Sequence, residues 1–135
     1  MIERRDFLKG SAIAVSALAV GVGTNAFASQ STSFAGIIYT KDNPGQWEAK
    51  VGSHAPEVKV EGAKVMIKTN HPVSDAHFIV RHTLVLEDGT VAGTTTFTPK
   101  DTPESSYDLP AGYKGKIYAT SFCNLHDFWL TEAAV

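Results

Sequence analysis

Five histidines and one cysteine are the residues of this chain best able to do chemistry. They are His54, His71, His77, His82, His126 and Cys123. Cys123 and His126 stand together in "SFCNLHDFW", residues 121–129. A thiolate and imidazoles are nucleophiles, bases and metal ligands. Cys123 has no second cysteine to pair with. A buried inert thiol, an intermolecular disulfide and a coordinated thiolate all remain open for it.

His54 lies in a Gly-Ser stretch before Pro56, in what reads as a loop. His71 precedes Pro72, which holds it in an extended backbone. His77 follows after five intervening residues and reads as the start of the longest strand. His82 falls an odd number of residues further on, so a strand turns it to the opposite face. It reads as a structural or surface histidine. His54, His71, His77 and His126 with Cys123 form the candidate metal set. Structural zinc takes four ligands, usually including two or more cysteines, so five donors with one thiolate disfavour it. Blue copper takes two His, one Cys and a weak axial Met. Cys123-x-x-His126 looks like part of such a loop, but no methionine follows His126, and two histidines would be left over. Iron suits five nitrogen and sulfur ligands with a sixth position open.

The elements that must position these residues read as strands. Candidates are Phe34–Thr40, Glu57–Val60, Lys64–Thr69, His77–Leu86, Val91–Thr98 and Lys116–Phe122, with shorter ones at Ser105–Leu109 and Phe128–Thr131. Glu87-Asp88-Gly89 and Glu61-Gly62 mark hairpins. No segment beyond the leader and longer than a turn has a helical period. The pattern predicts an all-β fold, an immunoglobulin-like antiparallel sandwich of about seven strands.

The 135 residues allow one domain beyond a leader. Arg4, Arg5 and Lys9 precede an apolar run, and Ala26-Phe27-Ala28 is a cleavage pattern. The paired arginines with Asp6-Phe7-Leu8-Lys9 resemble a twin-arginine export signal, although Glu3 stands where Ser or Thr is usual. Residues 1–28 are therefore expected to be a cleaved export signal and 29–135 the working domain, periplasmic or otherwise exported. The chain is 43% hydrophobic and 19% charged, with a formal net charge of -2. That balance gives no reason to expect a nucleic-acid partner.

Taken together, the motifs resemble the superoxide reductases, also called neelaredoxins, and the iron domain of desulfoferrodoxins. The family pattern is H-x-P, then H-P with a second His after five residues, then C-N-[IL]-H with a Trp close behind. Here these are His54-Ala55-Pro56, His71-Pro72 with His77, and Cys123-Asn124-Leu125-His126 with Trp129. The similarity runs from about Trp47 to Val135. It implies a mononuclear iron with His54, His71, His77 and His126 in one plane, Cys123 on the axis, and the opposite position open to superoxide. It further implies reduction to hydrogen peroxide and an external electron-donor protein. With no four-cysteine centre, the one-iron form is expected; a homo-oligomer is compatible with it. Three positions depart from the pattern. The family's Glu-Lys pair before the first His is Gly52-Ser53 here. Glu48, Lys50 and Arg81 are the candidates to replace its charges. Asp127 replaces the common Gly after the last His. The missing pair leaves open a non-catalytic iron protein for electron transfer or redox sensing.

Overall fold

The computed structural model describes residues 34–135. Eight strands form two sheets. They are β1 (Ile38–Tyr39), β2 (Glu57–Glu61), β3 (Lys64–Lys68), β4 (Ile79–Leu86), β5 (Val91–Thr96), β6 (Glu104–Asp108), β7 (Lys116–Cys123) and β8 (Asp127–Ala134). The larger sheet has the order β1-β8-β7-β4-β5 and the smaller the order β2-β3-β6. Every pairing is antiparallel except β1 with β8.

Alternation explains the core. Val65 and Ile67 of β3 and Tyr107 of β6 point inward from one sheet; Leu84, Leu86, Ile117 and Ala119 meet them from the other. Gly93 of β5 lies against the Tyr107 ring, where a Cβ would overlap it. The Tyr107 hydroxyl donates to Thr95 Oγ1 at 2.9 Å and joins the sheets at that edge. The outer face of the small sheet is tiled instead with charges, including the pairs Lys59–Glu61 and Lys68–Glu104.

Several boundaries differ from those read in the sequence. Phe34–Thr40 is a strand only at Ile38–Tyr39; residues 34–37 form turns, with Gly36 at φ 85°. His77 does not open β4. It is held before the strand by a tight turn, in which its N–H reaches Ser74 Oγ at 3.1 Å and its carbonyl accepts from Ser74 N–H at 3.0 Å. β8 runs to Ala134, well past Thr131, because it pairs with β7 along its whole length. The Gly-Ser stretch before His54 is not a loop. A 3-10 segment, Gly45–Lys50, leads into a one-turn helix, α1 (Val51–His54). Pro56 ends it: Ala55, the residue before the proline, is extended at φ -65° and ψ 120°. Residues 1–28, read as an export signal, lie outside the described residues.

Candidate metal centre

Three pieces of chain meet at one end of the sandwich. α1 supplies His54 from its last position. The connection from β3 to β4 supplies His71 and His77. The β7–β8 hairpin supplies Cys123, the last residue of β7, and His126 in the turn. Each piece is tied down separately. The Thr131 hydroxyl donates to the Pro56 carbonyl at 2.6 Å, anchoring the exit of α1 to β8. Asn124 pins the two ligand loops together: its Oδ1 accepts from Phe78 N–H at 3.0 Å, and its Nδ2 donates to the Ala76 carbonyl at 3.0 Å. Trp129 is fully buried, donates from Nε1 to the His126 carbonyl at 2.9 Å, and packs its ring 5.9 Å from His54. The hairpin turn closes at Asp127, the one non-glycine residue with positive φ (65°) among the described residues. A left-handed backbone explains why glycine suits this position; Asp is among the few other residues that tolerate it.

The donor atoms of His54, His71, His77, Cys123 and His126 all lie within 4.8 Å of one another. His54 Nε2 is 3.0 Å from His126 Nδ1, His126 Nδ1 is 3.0 Å from His77 Nε2, and His77 Nε2 is 2.9 Å from His71 Nε2. The thiol Sγ lies 3.2 Å from His77 Nε2, 3.7 Å from His126 Nδ1 and 3.8 Å from His71 Nε2. Hydrogen bonds cannot account for this crowd. His77 Nε2 has three polar neighbours and at most one proton, and a neutral imidazole has one donor and one acceptor. A central cation does account for it. Nitrogens about 2.1 Å from a metal at right angles are about 3.0 Å apart.

The outer nitrogen of His54 sets its tautomer. Nδ1 lies 3.1 Å from the Lys50 carbonyl and 2.8 Å from Ser53 Oγ, so it carries the proton and leaves the Nε2 lone pair facing the cluster. Burial and then the neighbouring imidazoles lower the His54 pKa to about 4. Burial is also the leading cause that lowers His71 and His126. Burial raises the Cys123 thiol, with a smaller push from Asp127. His54, His71 and His126 are thus held neutral, as ligands must be. The thiol gives up its proton when a cation takes the proton's place.

The charged side chains acting on these groups are Lys50 and Asp127. Lys50 acts on His71, His126 and Cys123, and Asp127 on Cys123 and His126. Lys50 is half-buried at the end of the 3-10 segment. Glu48 is exposed on that segment, and Arg81 is exposed on β4. His82 is buried rather than on the surface, and it is not part of the cluster. Met66 sits on β3 between Lys59 and Ser106, outside the set as well.

Sequence reading missed two tryptophan contacts. Trp129 was only a motif letter, and Trp47, whose ring meets the His126 ring edge-on at 4.7 Å, carried no signal. Asn124 was legible as the N of C-N-L-H, without the loop pinning it provides. A groove of 650 Å³ lies along β2, β3 and β6 on the small sheet, and none of its lining residues belongs to the cluster.

A family model described as desulfoferrodoxin matches residues 46–132. The chain belongs to the desulfoferrodoxin family. A superoxide reductase of Pyrococcus abyssi is 29% identical over 105 residues, covering 65% of this chain and 90% of that one. The solved superoxide reductase (neelaredoxin) of Ignicoccus hospitalis superposes with a TM-score of 0.63 at 28% identity, over 76% of this chain and 97% of that chain. The superoxide reductase from Nanoarchaeum equitans gives 0.53 at 28% identity, over 62% and 94%. These relatives have the β-sandwich fold and indicate an oxidoreductase. The family uses mononuclear iron, and the five clustered donors are a possible iron site.

Proposed function

We propose that this desulfoferrodoxin-family chain is an exported one-iron superoxide reductase, turning superoxide into hydrogen peroxide with electrons from an external donor protein. The observation that carries the reading is the convergence of four imidazole nitrogens and one thiol within 4.8 Å. Iron bound there supplies the single electron that takes superoxide to the peroxide level. The rest falls to the chain. His54, with Nδ1–H directed at the Lys50 carbonyl, presents Nε2; His71 and His77 present Nε2, and His126 presents Nδ1. Cys123 is 0% exposed, whereas His77 and His126 are half-buried. The thiolate therefore belongs to the protein side of the centre, and a small anion approaches from the solvent side. A diatomic substrate needs no large pocket. Lys50 supplies the positive charge that draws it in, four residues before His54 rather than in the family's usual place. Glu48 takes no part in this reading. Protons for the product come from solvent.

The leader supports export by the twin-arginine route, which carries folded proteins. Iron(II) lies below copper and zinc in affinity for such donors, so folding around iron before export avoids their competition. Metal analysis of protein purified from the periplasm tests this; stoichiometric zinc or copper without iron counts against it.

Gly52 and Ser53, in place of a Glu-Lys pair, favour a second reading: an iron protein of the same fold for electron transfer or redox sensing. Stopped-flow mixing of the reduced protein with superoxide separates the two. Fast one-to-one oxidation with peroxide formed supports the enzyme, and a flat trace leaves the second reading.

A further inference from the structure

A buried polar cluster around one histidine, separate from the candidate iron ligands, lies between the sheets. His82 is 0% exposed. Its Nε2 is 2.8 Å from Thr69 Oγ1 and its Nδ1 is 2.8 Å from Ser105 Oγ. Thr69 Oγ1 is also 2.9 Å from Ser121 Oγ. The Phe97 ring meets the imidazole edge-on at 4.9 Å. A neutral imidazole offers one donor and one acceptor, and both are used here. Burial alone lowers the His82 pKa to about 4, which keeps it neutral. A leucine would fill the same space without any polar group to satisfy, so filling the core does not explain this residue.

The ends of the cluster point to a role. The Thr69 carbonyl accepts from His71 N–H at 2.8 Å, and Thr69 N–H donates to the Pro103 carbonyl at 3.0 Å. Ser121 stands two residues before Cys123 on β7, and both are fully buried on the inward face. His82 itself is on β4, whose N-terminal end leads back to His77. Ser105 belongs to β6, in the other sheet. One imidazole thus laces together the chain segments that deliver His71, His77 and Cys123.

We propose that His82 is a positioning residue for the metal centre: through Thr69 and Ser121 it fixes the His71 and Cys123 donor atoms, 3.8 Å apart, in the arrangement offered to the metal. This rests on the metal-centre reading above. The test uses the full chain with three variants. His82→Leu keeps bulk and removes both hydrogen bonds. His82→Gln keeps a donor and an acceptor. Thr69→Val removes the shared hydroxyl. Cobalt(II) is the probe, read by its affinity and by the energy of its thiolate-to-metal absorption band, beside the thermal midpoint of the metal-free protein. Leu and Val are expected to weaken cobalt binding by up to about tenfold, the low end of what partners bonded directly to a ligand contribute, because His82 acts through Thr69 and Ser121, and to move the band. Gln is expected to restore both. A merely structural role lowers the thermal midpoint and leaves affinity and band at wild-type values; that result overturns the proposal, as does a Gln variant that behaves like Leu. If His82→Leu does not fold, Thr69→Val carries the same comparison. Wild-type protein without any thiolate band overturns the metal-centre reading and this inference together, whereas a wild-type band unmoved in the variants overturns the inference alone.

Discussion

Cys123→Ser replaces the sulfur with an oxygen and leaves the four imidazoles in place. The expected outcome is loss of the thiolate-to-iron charge-transfer absorption of the oxidised protein; survival of that band would remove Cys123 from the ligand set. Lys50 poses a different question, because the role proposed for it is to attract rather than to bind. Local positive charge changes the arrival rate of anions by about 10 to 1000-fold at low salt. Lys50→Gln is therefore expected to slow superoxide oxidation of the reduced protein by at least about tenfold and to flatten its salt dependence. Iron content should stay unchanged, since only the Lys50 carbonyl touches a ligand. Asp127 works against Lys50 by placing a negative charge beside Cys123 and His126.

At the scale of elements, each ligand depends on how its segment ends. Asn124 joins two ligand loops through two hydrogen bonds. Asn124→Ala is expected to cost about 1–3 kcal/mol in chemical denaturation. It should also lower metal affinity, because the His77 and Cys123 segments then separate more easily. Most strands were legible in the sequence from their β-branched and aromatic residues and the turns between them, and β3 also alternates cleanly. Val65 and Ile67 face in, and Lys64, Met66 and Lys68 face out. The donor set was legible because its residue types are rare in this chain and sit in short motifs. What could not be read was the conformation around His54. Four residues are too few to show a helical period, and Gly52 and Ser53 argue for a loop, so the proline that ends α1 was visible but the turn it ends was not. Lys50 likewise could not be brought near the ligands from spacing alone, since its reach depends on that turn.

For the whole molecule, the donors connect segments far apart in the chain, so metal binding and folding are coupled. Iron or cobalt is expected to raise the thermal midpoint, more so at higher pH, because Cys123 must release its raised proton to bind. The metal-free protein has its own pH dependence. The folded-state pKa of His82 is about 4, against an ordinary 6.5. Between these values the unfolded chain takes up a proton that the folded chain refuses. Stability present above 6.5 is thus lost as pH falls toward 4, and His82 adds no further loss below that. His54 adds to the same slope. Denaturation midpoints across that window check the sign, and His82→Leu should make the fall shallower. The one-turn helix bearing His54 has a further consequence. Its register, four residues from Lys50 to His54, fixes where the imidazole points. One residue inserted between Lys50 and His54 would swing the imidazole by about 100° around the helix axis, away from its partners. A one-residue insertion or deletion here is therefore expected to cost cobalt affinity in titration even with all five donors retained, a constraint on length.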